Sequence, residues 1–374
     1  MKTKIPTFSD KKVALVCDWI GDWGGAEIVL EQMIDLFPHA DIYSSVFWQQ
    51  ENALFANTKV KTSFIQKIPL LNRKHKFSSL LRPQAFESFD LSEYDIVISS
   101  SSAESKGVIT KPHTLHICYC HTPTRYFWSH YHEYSKMMEF GIFNPLIKFF
   151  MPRVIHKLRA WDYVAAQRPD IMIANSYNTQ KRIQKYYKRD SQVIHPCLNI
   201  TNIPYSEEKS DYYFYAGRVI PYKKFDLIVA AFNENGLPLK IAANTKNKLS
   251  ENLRAKSKPN IEWIYETDNQ KINQLHAHAK AFLFPPEEDF WLVPIAAMAS
   301  GTPVIAYWKW GALETVTQDT WIFFDEQTPS SLNAALHRFE TLTFDSKKIR
   351  EHAMTFDVSQ FQQSLSACIQ KNIQ

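Results

Sequence analysis

The feature that most limits the fold of this chain is a repeated alternation of short apolar runs with helix-period patterns, broken once and then resumed. Val13–Cys17 is an apolar run followed by Asp18, a glycine-bearing turn and a helical pattern from Ala26 to Phe37. The runs Ile96–Ile98, Leu115–Cys118, Ile171–Ala174 and Val193–Ile194 repeat the strand signal, with helical patterns over 153–166 and 176–187. Strands without polar alternation need cover on both faces, and intervening helices supply it, as in a parallel sheet. The pattern pauses at 196–210 (PCLNITNIPYSEEKS). It restarts with strands at Tyr212–Ala216, Leu239–Ala242, Ala281–Phe284 and Pro303–Ala306, and helices at Phe225–Phe232, Asn269–Ala279 and Val293–Ser300. The expected class is α/β: two doubly wound parallel-sheet halves, with a ligand cleft between them at the carboxyl ends of the strands. A last helix, about 358–371, is expected to pack back across the boundary.

Composition narrows the setting. With 374 residues, 45% hydrophobic and 22% charged, the chain suits two domains and is neither disordered nor collagen-like. The N-terminus MKTKIPTFSDKK has no apolar h-region, and no run approaches the ~20 apolar residues of a membrane span. Five cysteines, odd in number and without metal-ligand spacing, fit a reduced cytoplasmic compartment. Cys118 and Cys120 read as small core residues on a strand. The net charge of +5 is uneven. Residues 52–86 hold seven Lys/Arg and no acid, and residues 147–189 hold ten against Asp162 and Asp170. Each stretch interleaves aromatic and apolar side chains such as Phe64, Phe77 and Phe150. A solvated helix face explains either stretch alone. Two in one half point to an anionic membrane surface, and no motif beside them suggests nucleic acid.

Four loops after strands carry the candidate chemistry. Gly24 and Gly25 precede a helix, where bare backbone lets amides approach an anion or a sugar; an ordinary turn explains the pair equally well. His121 opens His121-Thr-Pro-Thr-Arg125 at a strand's end, placed either for a substrate hydroxyl or as a structural histidine. Gly217-Arg218 ends a strand, and Lys223 follows at a helix start. Two cations at that positive helix end make a diphosphate site, against the alternative of a capping turn with solvated cations. Glu287-Glu288-Asp289-Phe290-Trp291 leads into another helix. Its acids complement the helix dipole, or one of them binds sugar hydroxyls while the following amides hold a phosphate.

The segments GGAE, TSFIQK, HICYCHTPTRYFW, ANS, AGRVIPYKK, EEDFWLVP, GTPVIAY and GALETV, in order from about residue 12 to 355, resemble glycosyltransferase family 4. The similarity is strongest to its bacterial mannosyltransferase-like branch for surface polysaccharides. The resemblance implies a GT-B fold: a Rossmann-like acceptor domain over 1–199, a Rossmann-like donor domain over 200–357 and a returning helix over 358–374. It implies transfer, with retention, of a hexose from a nucleotide-diphosphate sugar, with mannose from GDP-mannose as the expected donor. The expected acceptor is a lipid-linked or growing surface oligosaccharide, reached at the inner face of the cytoplasmic membrane. No cofactor and no catalytic metal are implied. By position, His121, Arg218, Lys223 and Glu288 are the implied catalytic residues. Gly24, Gly25, Gly217, Asp289, Phe290, Trp291 and Glu314 are the implied donor-binding residues.

The chain also departs from that pattern. Ala296 stands where a second glutamate, eight residues after Glu288, usually holds the nucleotide ribose. Losing that contact weakens donor binding by ~1–3 kcal/mol or admits a different donor. Trp291, Trp308, Trp310 and Trp321 occupy slots where relatives carry glycine, and Ala243-Asn244-Thr245-Lys246 replaces a glycine-bearing turn. The chain holds only nine glycines, where average usage gives about 26. Two other readings follow: a GT-B pseudoenzyme with a changed or blocked donor pocket, and a peripheral scaffold using its basic face. UGA codons read as glycine in the source would also create the tryptophan pattern; UGG codons at those positions would exclude that.

Overall fold

The computed structural model describes residues 8–21, 24–48, 53–55, 58–69, 71, 78–129, 131–132, 144–243, 246–265, 268–287, 290, 292–308 and 320–373. The chain divides into two compact units, Met1–His195 with Phe361–Gln374, and Pro196–Gln360.

The first unit holds a seven-stranded sheet in the order β3-β2-β1-β4-β5-β6-β7. Its strands are β1 (Val13–Cys17), β2 (Asp41–Ser44), β3 (Val60–Thr62), β4 (Ile96–Ser101), β5 (Leu115–Cys120), β6 (Ile171–Ala174) and β7 (Gln192–Val193). Its helices are α1 (Gly25–Leu36), α2 (Arg82–Glu87), α3 (Asn144–Ala165) and α4 (Tyr177–Tyr187). The second unit holds six strands in the order β10-β9-β8-β11-β12-β13. These are β8 (Tyr213–Gly217), β9 (Leu239–Ala243), β10 (Ile261–Tyr265), β11 (Ala281–Phe284), β12 (Val304–Tyr307) and β13 (Trp321–Phe324). Around them lie α5 (Phe225–Asn235), α6 (Lys248–Lys256), α7 (Asn269–His278), α8 (Leu292–Ala299), α9 (Pro329–Glu340) and α10 (Ser346–Ala353). The last helix, α11 (Val358–Asn372), buries Phe361, Leu365 and Ile369, and Phe361 meets Tyr119 of β5 edge-on at 5.7 Å between ring centroids. Every strand pairing is parallel. In each sheet the winding direction reverses once, between β1 and β4 and between β8 and β11, so each has a switch point where the crevice outside the carboxyl ends opens.

Burial follows strand position. β1 and β4 are buried throughout, whereas edge strand β3 is half-buried along its length. Edge strands need no continuous apolar run, which is why β3 and β10 carry no clear signal in the sequence. Helix α3 begins at Asn144 rather than near 153, with Pro152 inside it. Proline removes one hydrogen bond and ordinarily marks a helix start. Gly301, after α8, has φ +75, and an added Cβ would lie 2.7 Å from the Tyr205 ring. Both backbone and space therefore require glycine there.

The basic stretches are only partly surface charge. Arg82 is buried against Glu104 at 3.1 Å, and half-buried Lys61 pairs with Asp41 at 3.0 Å. In the second stretch Arg168 pairs with Glu87 at 2.6 Å, and Arg189 donates to the carbonyls of Ala166, Gln167 and Asp170. A window without acids is thus not a window without counterions, because the sheet brings them from elsewhere in the chain. Arg73, Lys74 and Lys76 lie outside the described residues. What α3 does expose is one face with Phe150, Arg153, His156, Lys157, Tyr163 and Val164. Among the described residues no helix is long and apolar enough to cross a membrane.

The opposite face of α3 delivers a carboxylate to the interior of the first unit. Asp162 is fully buried and accepts from Lys106 Nζ at 2.6 Å, Thr124 Oγ1 at 2.8 Å, Trp128 Nε1 at 2.7 Å and Tyr187 OH at 2.9 Å. Burial opposes the charge on Lys106, yet the adjoining Asp162 holds its ammonium above the ordinary range. One side chain thereby ties α3, the loop after β4, the loop after β5 and α4 together. Removing one partner of a buried pair leaves the other uncompensated, at a cost of about 3–5 kcal/mol. Asp162→Ala is expected to lose stability of that order in urea unfolding, and a loss under 1 kcal/mol would show that the network is not what secures the loops.

Candidate functional site

In the first unit the candidate residues gather at the carboxyl ends of β1, β4 and β5. Gly24 is the extended N-cap of α1 and provides no side-chain cap, so the amides of the first turn, beginning at Gly25, are not satisfied by one. The turn carries Glu27, which lines a cavity of about 50 Å³ together with Asp18, Trp19, Leu30, Ser100 and Ser102. Asp18 is committed to the fold. Its carboxylate accepts from the backbone N–H groups of Ser102 at 2.6 Å, Ala103 at 2.9 Å and Ser105 at 2.7 Å, shaping the loop after β4.

His121 is the first residue past β5. Its N–H donates to Ser101 O at 2.8 Å, its carbonyl accepts from Thr179 Oγ1 at 3.3 Å, and its Nε2 lies 2.8 Å from Ser100 Oγ. The Tyr119 ring stands edge-on to it, 5.1 Å between centroids. Burial pushes its pKa down to about 4, so the imidazole is neutral at physiological pH. The loop behind it is anchored at Thr124 and Trp128 by Asp162, and at Tyr126 by Glu104 at 2.6 Å. A neutral, rigidly held histidine at a strand end is suited to hydrogen-bonding a ligand rather than to carrying charge.

In the second unit the loops after β8 and β11 flank its switch point. Gly217 ends β8, and Arg218 is exposed with no ion pair or hydrogen bond among the described residues. Lys223 lies on a single 3₁₀ turn, Pro221–Lys223, and its ammonium is 5.9 Å from the centre of the Phe284 ring at the end of β11. Lys224, in the left-handed region at φ 58, is the N-cap of α5 and gives no side-chain cap. An uncapped helix start beside two cations can hold a diphosphate through amides, a guanidinium and an ammonium. Phe290 sets its ring against Phe356, 6.1 Å between centroids, at the edge of the second unit's core. Ala296 is half-buried on α8. Glu288, Asp289, Trp291 and Glu314 lie outside the described residues, as do Asn244, Thr245 and Trp310.

The tryptophans expected to crowd the donor pocket behave differently from one another. Trp321 begins β13 and is buried in the core, its Nε1 3.0 Å from Met298 Sδ. It is a packing residue of an edge strand, which corrects the expectation of a pocket-blocking indole at that position. Trp308 is 46% exposed and stands edge-on to Phe323 at 4.5 Å. Among the described residues no group of His, Cys, Asp or Glu is arranged to hold a metal ion.

Residues 199–355 match the family model described as glycosyl transferases group 1, which covers most of the second unit and less than half of the chain. The O-antigen chain mannosyltransferase RfbU of Salmonella typhimurium is 25% identical over 154 residues, 38% of this chain and 43% of that protein. The match therefore spans under half the length of that relative. Solved structures agree along nearly the whole chain. Alr3699/HepE of Anabaena in complex with UDP superposes with a TM-score of 0.69 at 15% identity, covering 96% of this chain and 100% of that one. The same protein is also solved with UDP-glucose. The lipopolysaccharide outer core galactosyltransferase WaaB, in its apo form, gives a TM-score of 0.63 at 15% identity over 96% of this chain and 99% of that one. Identities this low speak for fold and not for substrate. The chain has the GT-B fold, and most of its second unit is similar to the glycosyl transferases group 1 family.

Proposed function

We propose that this protein is a glycosyltransferase that moves a hexose from a nucleotide-diphosphate sugar to a growing or lipid-linked cell-surface glycan. The observation that carries the reading is the exposed, unpaired Arg218 in the loop after β8 that leads through Lys223 into the uncapped start of α5. Charge develops on the leaving diphosphate during transfer, and fixed cations with backbone amides aimed there stabilise it. Glu288 and the residues after it, Asp289 to Trp291, would hold the sugar and phosphate of the donor from the β11 loop, with Glu314 in a further supporting role. His121 would hydrogen-bond the donor sugar, and Gly24 and Gly25 would admit ligand close to backbone from the acceptor domain. The chemistry would be metal-independent and would retain the anomeric configuration. The mannosyltransferase name of RfbU supports mannose as the sugar, with GDP-mannose as our expected donor, while UDP and UDP-glucose bound to Alr3699/HepE support a uridine nucleotide as the alternative.

A second reading rests on Ala296, a methyl where a ribose-binding carboxylate is expected: a GT-B protein that binds a glycan or partner without transfer. Thermal unfolding with GDP, UDP and their sugar conjugates separates the two. Saturation at about 100 times Kd stabilises by roughly 2.7 kcal/mol. Arg218→Ala is expected to weaken nucleotide binding on the order of 10- to 100-fold, the loss of one charge-assisted contact. A folded wild-type protein indifferent to every nucleotide would favour the second reading.

The outward face of α3, with Arg153, Lys157, Phe150 and Tyr163 exposed, suits a peripheral seat on an anionic leaflet such as the cytoplasmic face of a bacterial membrane. Co-sedimentation with phosphatidylglycerol vesicles is expected at low salt. It should fall at 0.5 M salt and in Arg153→Glu/Lys157→Glu, as screening and charge reversal require. Equal sedimentation with neutral phosphatidylcholine vesicles would contradict it.

A further inference from the structure

We propose that Ser100 is a positioning residue that fixes His121 as the tautomer protonated on Nδ1, so that the ring offers a hydrogen-bond donor at the carboxyl end of β5. The proposal deepens the transferase reading, since it specifies what His121 presents to a ligand, and its geometry stands without that reading.

Ser100 is the fifth residue of β4, 5% exposed, and pairs in register with Tyr119 of β5. Its hydroxyl reaches His121 Nε2 at 2.8 Å and has no other hydrogen-bond partner among the described residues. A hydroxyl carries one proton, and a buried proton needs an acceptor. Among the described residues the acceptor within hydrogen-bond distance is the lone pair of Nε2. Were Nε2 to carry the ring proton, the serine would accept that bond and its own proton would have no protein acceptor among the described residues, facing only the cavity it lines. The pairing is therefore satisfied when Ser100 donates to Nε2 and the imidazole proton sits on Nδ1.

The surroundings keep this choice consequential. Burial holds the ring neutral, so one nitrogen carries a proton and the other does not. The Tyr119 ring and the backbone bonds from His121 N to Ser101 O and from Thr179 Oγ1 to His121 O fix its position. Nδ1 has no hydrogen-bond partner among the described residues, which leaves it for a ligand. A Nδ1–H group recognises an oxygen with a lone pair, in a sugar hydroxyl or a phosphate. It cannot accept a proton from a nucleophile at that atom, which assigns His121 to binding rather than to general-base work.

The test is nitrogen NMR of the full-length protein labelled with ¹⁵N-histidine at pH 7.5, with the His121 signals identified by their loss in His121→Gln. Ring-nitrogen shifts separate a protonated nitrogen from an unprotonated one. The expected wild-type pattern is a protonated Nδ1 and an unprotonated Nε2. Ser100→Ala should move both signals towards the opposite tautomer, and Ser100→Thr, which keeps the hydroxyl, should restore them. Signals of His116, whose Nε2 is bonded to Ser99 Oγ at 3.0 Å, report whether the sheet is intact in each variant. A wild-type Nε2–H pattern, or Ser100→Ala shifts identical to wild type with His116 unchanged, would overturn the proposal. Because no substrate is present, this result is independent of transfer. Lack of nucleotide binding with a Nδ1–H pattern would overturn the functional reading and leave the tautomer assignment standing.

Discussion

The Asp162 carboxylate is the constraint on which the loops at the carboxyl ends of β4 and β5 depend. Four donors from three other segments meet on its two oxygens; without it the buried Tyr187 hydroxyl and the Trp128 indole N–H would lose the acceptor they have, and the Lys106 ammonium its counterion. A buried ion pair is weak evidence for net stability, but it discriminates strongly between arrangements. Here the arrangement it selects has α3 docked with its apolar side inward, the 121–128 loop pulled down at Thr124 and Trp128, and α4 closed over both through Tyr187. The Arg82–Glu104 pair and its bonds to Tyr126 do the same for the middle of that loop. Close packing continues the theme at Gly107, where an added Cβ would lie 2.6 Å from the Trp161 ring. His121 owes its fixed position to this frame, and a fixed neutral imidazole is what a hydrogen-bonding role needs.

The second unit solves the opposite problem. Where the first unit pairs Lys106 with Asp162 and Arg82 with Glu104 internally, the loop after β8 leaves Arg218 exposed and α5 without a side-chain cap. Charges held ready at a helix N-terminus lower the reorganisation needed when an anion arrives. The tight turn over 221–223 and the left-handed Lys224 bring Lys223 across to the end of β11, so two strand-end loops converge on one position. The switch point between β8 and β11 is where a doubly wound sheet opens a crevice, so topology and electrostatics agree on the site.

Much of this was legible in the residues. The apolar runs at Val13–Cys17, Ile171–Ala174 and Ala281–Phe284 coincide with β1, β6 and β11, because strands covered on both faces leave a continuous signal. The runs at Leu115–Cys118 and Tyr212–Ala216 likewise mark β5 and β8, and the loops carrying His121, Arg218 and Lys223 follow directly from those two strands. Edge strands β3 and β10 were not legible, since half-buried residues carry no run. The inward turn of Arg82 and Lys61 was hidden because Glu104 and Asp41 sit outside the basic window, and charge pairing across a sheet is not local in sequence. The role of Ser100 was equally out of reach: the serine run 99–102 at the end of an apolar strand is visible, but only the β4–β5 register brings one of its hydroxyls to His121. The tryptophans illustrate the same limit, since Trp321 proves to be core and Trp308 surface although the resemblance treated the two positions alike.

Turnover tests the account most directly. Purified protein incubated with GDP-mannose, UDP-glucose and related nucleotide-sugars, with and without glycan acceptors, should release nucleoside diphosphate from at least one donor. Release should fall by two or more orders of magnitude in Arg218→Ala, the scale of removing one transition-state contact of about 2.7–4 kcal/mol. Release that is unchanged in Arg218→Ala, or no release from any donor by a folded protein that binds nucleotide, would contradict it.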